Sequence, residues 1–113
     1  MSTEALSRLS EILESGGDVD DLLRAAVAAL VADPSIVWAG IRFLEEGELV
    51  LGPCAGEPDE TRRLTAPIAY RDGTVGELVV DGDADAAFLE RVAGLIAPYV
   101  LLGWDTGGEA WEP

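Results

Sequence analysis

Cys54 is the one thiol in the 113-residue sequence, set in Gly52-Pro53-Cys54-Ala55-Gly56, and no histidine accompanies it. A nucleophilic or redox thiol needs its pKa lowered by a cation, an imidazole or a helix N-terminus. Arg62 and Arg63 are the nearest cations in the sequence. Cys54 therefore reads as a small, partly buried side chain at a strand end. With a single cysteine and no histidine, the ligands of a zinc site are not there. Carboxylates are abundant, but acid–base catalysis uses two of them in contrasting surroundings, and nearly all of those here fall in turns, caps and helix surfaces. The run Asp81-Gly82-Asp83-Ala84-Asp85 lacks the ligand order of an EF-hand calcium loop and reads as a solvated turn and helix cap. No glycine-rich phosphate loop or nucleophile elbow is present. These residues predict no enzyme, no metal and no cofactor.

The charge balance narrows the partners. Asp and Glu number 22 against 7 basic residues, all of them Arg, for a net charge of −15. Such a chain is repelled by nucleic-acid phosphates and by anionic membranes. The acidity reads as a device for solubility or a salty cytoplasm, or as a docking surface for a basic partner. A lone cysteine forms no internal disulfide, which fits a reducing cytosol. No basic segment precedes an apolar one at the N-terminus, and no apolar run approaches ~20 residues. The expectation is a cytoplasmic protein.

The elements that position these residues follow from periodicity. Leu6, Leu9, Ile12 and Leu13 recur at helical spacing within residues 3–15, and Gly16-Gly17 stops that helix. Asp18 caps a second helix, carried by Leu22, Leu23, Ala26, Val27, Leu30 and Val31 and ended by Asp33-Pro34. Ile36 to Leu44 and Glu48 to Pro53 read as strands joined by Glu46-Gly47. Glu57 to Arg63 is a loop. Leu64 to Tyr70 and Val75 to Asp81 form a second hairpin around Asp72-Gly73, with Pro67 at an edge position. Ala84 to Gly103 is a long helix with a bend expected at Pro98. Residues 1–104 make one domain, and 105–113, containing Trp111, form an acidic, Gly-rich tail.

Three stretches resemble GAF domains, nearest to the free methionine-R-sulfoxide reductase branch. Trp38-Ala39-Gly40-Ile41-Arg42-Phe43-Leu44 looks like that branch's first strand. Gly47 to Pro53, with Gly56 and Pro58, looks like its second strand and corner. Pro67-Ile68, the Asp72-Gly73 turn and Val75-Gly76-Glu77-Leu78-Val79-Val80-Asp81 are similar to its last hairpin, although Gly73 and Gly76 stand one residue closer than usual. The likeness covers roughly residues 20 to 102. It implies an α+β fold: a minimal, truncated GAF-like domain with a four-stranded antiparallel sheet, order 2-1-4-3, and three helices mainly on one face. The reductases carry a cysteine shortly after the corner, at the position that counts here as Glu60. Their other cysteines lie in a middle segment that is reduced here to about ten residues between Pro53 and Leu64. Cys54 stands where the family has an aromatic residue and inherits no catalytic role.

Alternation along the strands assigns Val37, Ala39, Ile41, Phe43, Leu78 and Val80 to the helix side. Trp38, Arg42 and Glu77 then share the opposite face, where the resemblance implies a ligand site, here without its lid. Arg42 and Glu77 are expected to pair across strands. Leu89, Val100 and Trp104 widen the apolar arc of the last helix beyond what a sheet face needs; with Leu6, Leu9 and Leu13 they are the candidate homodimer interface. The leading reading is a non-catalytic signalling or interaction module, a homodimer, with a protein partner also conceivable on the uncovered sheet face. The alternatives are a small-molecule sensor using Trp38, Arg42 and Glu77, and a degenerate sulfoxide reductase.

Overall fold

Two tight hairpins fix the sheet. The computed structural model describes residues 3–71 and 73–110, and the side chains within 6–71 and 73–100. Strand β1 (Ile36–Glu45) turns at Glu46-Gly47 into β2 (Glu48–Gly56). Both turn residues have positive φ, 51° and 84°, the backbone of a type I′ turn, whose twist matches that of the flanking strands. Strands β3 (Arg63–Tyr70) and β4 (Gly73–Gly82) form the second hairpin. Here Tyr70 pairs with Gly73 and Arg71 carries φ 59°, so the turn lies one residue before the expected Asp72-Gly73 pair. The long-range pairing of β1 with β4 joins the hairpins into an antiparallel sheet of order β2-β1-β4-β3, as expected.

Helices α1 (Thr3–Glu14), α2 (Val19–Val31) and α3 (Ala86–Ala110) complete the fold. The Asp18 carboxylate caps α2 by accepting from Asp20 N at 3.0 Å. The Asp85 carboxylate does the same for α3 from Phe88 N at 2.8 Å. α2 packs over β1 and β2, α3 mainly over β3 and β4, and α1 rests on α2 and α3. The core between them holds Ala39, Ile41, Phe43, Leu78 and Val80 from the sheet and Leu23, Val27, Leu30, Phe88, Val92 and Ile96 from the helices. Burying each of the larger aliphatic side chains stabilises the fold by roughly 1.5–3 kcal/mol.

Three expectations are corrected by the backbone. Ile36, not Val37, supplies the first core residue of β1, because the β1–β4 register shifts between Ile36 and Trp38 and inverts the alternation there. β2 does not stop at Pro53 but continues to Gly56, through a register shift against Gly40 and Arg42 that inserts one extra residue on the β2 side. The Gly52-Pro53 corner is thus a β-bulge in an edge strand, a place where a residue without an N–H is tolerated. α3 runs on through Pro98 to Ala110, into the segment read as a tail. The side chain of Trp104, and Trp111 altogether, lie outside the described residues.

The candidate interface is also revised. Leu9, Leu89 and Val100 are 0%, 2% and 0% exposed and Leu13 is buried, all within the protomer's own core. α1 rests mainly on α2, and α3 packs on β3, β4 and α2, so Leu89 and Val100 of the wide apolar arc are covered within the protomer rather than by a second chain. Of the described candidates only Leu6 keeps part of its surface.

Candidate functional site: a filled sheet face

Strand pairing sets three rows across the sheet face turned away from the helices. Arg63, Asp81 and Trp38 form one row; Thr65, Val79, Gly40 and Cys54 the next; Pro67, Glu77, Arg42 and Leu51 the third. The Trp38, Arg42 and Glu77 expected to share a face do share it.

Trp38 is not free on that face: it is 6% exposed. Its indole lies across the next row, over Gly40. A β-carbon on Gly40 would stand 2.6 Å from Trp38 Cη2 and 2.9 Å from Cζ2, so only glycine leaves the ring its seat. The Arg63 guanidinium lies over the ring, 5.0 Å from its centroid, a cation–π arrangement. Val79, in the same row as Gly40, is fully buried.

Asp81 anchors this roof. Its side chain is 0% exposed, and its carboxylate accepts from Arg63 Nε at 2.8 Å, Arg63 Nη2 at 2.9 Å and Asp59 N at 2.7 Å. A two-pronged Arg–carboxylate pair with a further backbone donor is the arrangement that offsets burying a charge. The hydrogen bonds from Arg63 hold the Asp81 carboxyl below its ordinary value; burial opposes them and the Asp59 N–H adds to them. The same pairing raises the Arg63 guanidinium. The short connection between β2 and β3 is tied down by this cluster: a 3₁₀ turn over Glu60–Arg62, the Thr61 hydroxyl donating to Asp59 Oδ1 at 2.6 Å, and Arg62 3.5 Å from Asp83.

The expected solvated turn at Asp81–Asp85 is thus wrong for Asp81 and right for the Asp85 cap. No cluster of metal-binding side chains occurs among the described residues. The Arg63–Asp81 pair was missed because Arg63 was read only as a cation near Cys54. Its signal lay in the hairpin: once the turn is placed, the first residue of β3 falls opposite Asp81.

Arg42 and Glu77 pair as anticipated, Nη1 to Oε1 at 2.8 Å between directly opposed residues, with side chains 31% and 23% exposed. Cys54 differs from the expectation of partial burial: it is exposed, because the bulge keeps it within the edge strand on the face of Gly40. Glu60, at the counted cysteine position, opens the 3₁₀ turn and points to solvent 3.9 Å from Arg63. Gly56 closes the corner at φ 92°, where a β-carbon would collide with the Val37 carbonyl.

This arrangement of strands and helices has close counterparts among solved structures. The GAF domain of an Acinetobacter phosphoenolpyruvate-protein phosphotransferase superposes with a TM-score of 0.73 at 17% identity, over 93% of this chain and 97% of that one. The fold is GAF-like. Free methionine-R-sulfoxide reductases share it: the Staphylococcus aureus protein in complex with its substrate (TM-score 0.68, 20% identity, 87% of this chain and 94% of that one) and the Neisseria meningitidis protein with its substrate (0.66, 14%, 97% and 95%). At these identities the likeness establishes the GAF-like fold alone. No family model matches the sequence, and no curated protein matches it. Among the described residues no helix is long and apolar enough to cross a membrane.

Proposed function

We propose that this chain is a non-catalytic GAF-like signalling or interaction module that works as a cytoplasmic homodimer. The observation that carries this reading is the filled sheet face. Trp38 occupies the seat over Gly40, beneath an Arg63 side chain locked to buried Asp81. A side chain of the protein itself stands where the resemblance puts a ligand. Sulfoxide reduction needs a thiol to accept the oxygen and a second thiol, of the chain or from solution, to resolve the sulfenic acid; the one thiol here, Cys54, stands exposed on the edge strand with Trp38 filling the face beside it. What remains for self-association is the outer surface of α1 and α3, where Leu6 and Leu95 border a groove of about 460 Å³ shared with Ser7, Ser10, Arg91 and Gly94. Sedimentation at moderate salt, together with an assay of free methionine-R-sulfoxide turnover, tests the reading. A dimer without turnover supports it; a monomer removes the dimer, and thiol-dependent turnover removes the module.

A second reading, a sensor binding a small molecule near Arg42 and Glu77, is favoured by one observation: this pair keeps solvent access beside the buried Trp38. A ligand there would raise the thermal midpoint as its concentration rises.

A further inference from the structure

Resting on the interaction-module reading, we infer that the free edge of β2 over Glu48–Leu51 is a docking strand for an extended, basic-flanked segment of another protein. β2 and β3 are the two edges of the sheet. An edge strand is a template for strand addition unless proline, a bulge, charge or short length blocks it. β3 carries exposed Pro67 in its middle, which lacks the N–H that an added strand needs. β2 has its bulge at Gly52-Pro53; from Glu48 to Leu51 it is regular, in unbroken register with Glu45 to Arg42 of β1.

That regular stretch is apolar on both faces. Leu49, Val50 and Leu51 are 44%, 45% and 50% exposed, the three most exposed large apolar side chains described. A partner strand would cover them while taking up the outer backbone groups. The charge around them selects the partner. Between Arg42 and Arg62 every charged residue is acidic: Glu45, Glu46, Glu48, Glu57, Asp59 and Glu60. A second copy of the chain would bring the same carboxylates to the edge and a net charge of −15 with them. A segment with an apolar centre and lysines or arginines at its ends meets both features, and oppositely charged groups across an interface speed encounter and reject like-charged partners.

The test uses the intact protein and a short peptide of alternating valine and threonine with paired lysines at each end, against the same peptide ending in glutamates. Binding is followed by fluorescence anisotropy and by hydrogen exchange of the residue 48–51 amides. The expected result is saturable binding of the lysine-ended peptide that weakens with salt, protection confined to β2, and roughly tenfold or greater loss in Val50→Lys, a substitution at an exposed site that leaves the melting temperature near that of the parent. Glu48→Lys should weaken binding with the fold intact. Equal binding of both peptides, binding unchanged in Val50→Lys, or no saturable binding overturns the inference. So does self-association abolished by Val50→Lys, which would make a second copy the occupant. Failure of peptide binding in a protein that still dimerises through its helices without sulfoxide turnover removes the β2 site alone; turnover would remove the module reading while leaving the peptide result standing.

Discussion

The indole of Trp38 lies across Gly40, with Cη2 at 2.6 Å and Cζ2 at 2.9 Å from where a β-carbon would stand. Gly40→Ala therefore forces the ring off the sheet. Since Trp38 is 6% exposed beneath Arg63, the ring cannot swing aside without lifting the guanidinium. The expected cost is about 1–3 kcal/mol, typical of overpacking, with red-shifted tryptophan emission. Denaturant melts read by fluorescence check both effects.

The Arg63–Asp81 pair sets a pH dependence of defined sign. Asp81 titrates lower in the folded chain than unfolded. Its stabilisation is therefore fully present above the unfolded value of about 3.9 and is lost as pH falls through the folded value. Arg63→Ala removes both charge-assisted hydrogen bonds and leaves the Asp59 N–H as the carboxylate's remaining partner, which moves its titration upward. The stability gap between parent and Arg63→Ala should be wide at pH 7 and close as pH falls below ~4, through the lowered Asp81 value. Denaturant melts across that range measure it.

Asp81→Asn should cost less than Arg63→Ala. The Arg63 side chain is 23% exposed and can be rehydrated when its partner is neutralised, whereas Asp81, 0% exposed in the pair, keeps its charge with the Asp59 N–H as its one remaining donor. A loss on the order of 1–3 kcal/mol is expected for Asp81→Asn, read at pH 7 beside the arginine variant.

Arg42 and Glu77, opposed across β1 and β4 at 2.8 Å, should show a coupling energy of about 0.2–1 kcal/mol in a double-mutant cycle. Because both side chains are partly solvated, the coupling should shrink in high salt.

On the helical side, Leu95→Glu and Leu9→Ala separate interface from core. Leu95 is 36% exposed beside the α1–α3 groove, and Leu9 is 0% exposed. The first should dissociate the proposed dimer in sedimentation with little change in melting. The second should lower stability by about 2–5 kcal/mol whatever the oligomeric state.

Much of the fold was legible in local chemistry: Glu46-Gly47 fixed one turn, Asp18 one cap, and alternation along β1 put Ala39, Ile41 and Phe43 inside. The GAF resemblance supplied the pairing of β1 with β4, which no local pattern encodes. From that pairing the Arg42–Glu77 contact followed. What stayed hidden depends on single-residue shifts and on distance in the chain. The bulge that places Ile36 rather than Val37 in the core, and the one that carries β2 past Pro53, invert a pattern of period two without altering composition. The burial of Leu9 hangs on how α1 lies against α2, and that of Leu89 on how α3 lies against the sheet and α2, neither of which helical periodicity specifies. The seat of Trp38 required knowing that the 57–62 connection returns Arg63 over the ring.

The central claim is that the chain's own Trp38 fills its sheet face and that it does no sulfoxide chemistry. The most direct measurement titrates free methionine-R-sulfoxide into the intact protein with an external thiol present, following the thermal midpoint and thiol consumption together. The account predicts a midpoint that moves by less than about 1 °C at millimolar compound and thiol loss no faster than in buffer. A saturable rise in the midpoint, with turnover that Cys54→Ser abolishes, would contradict it.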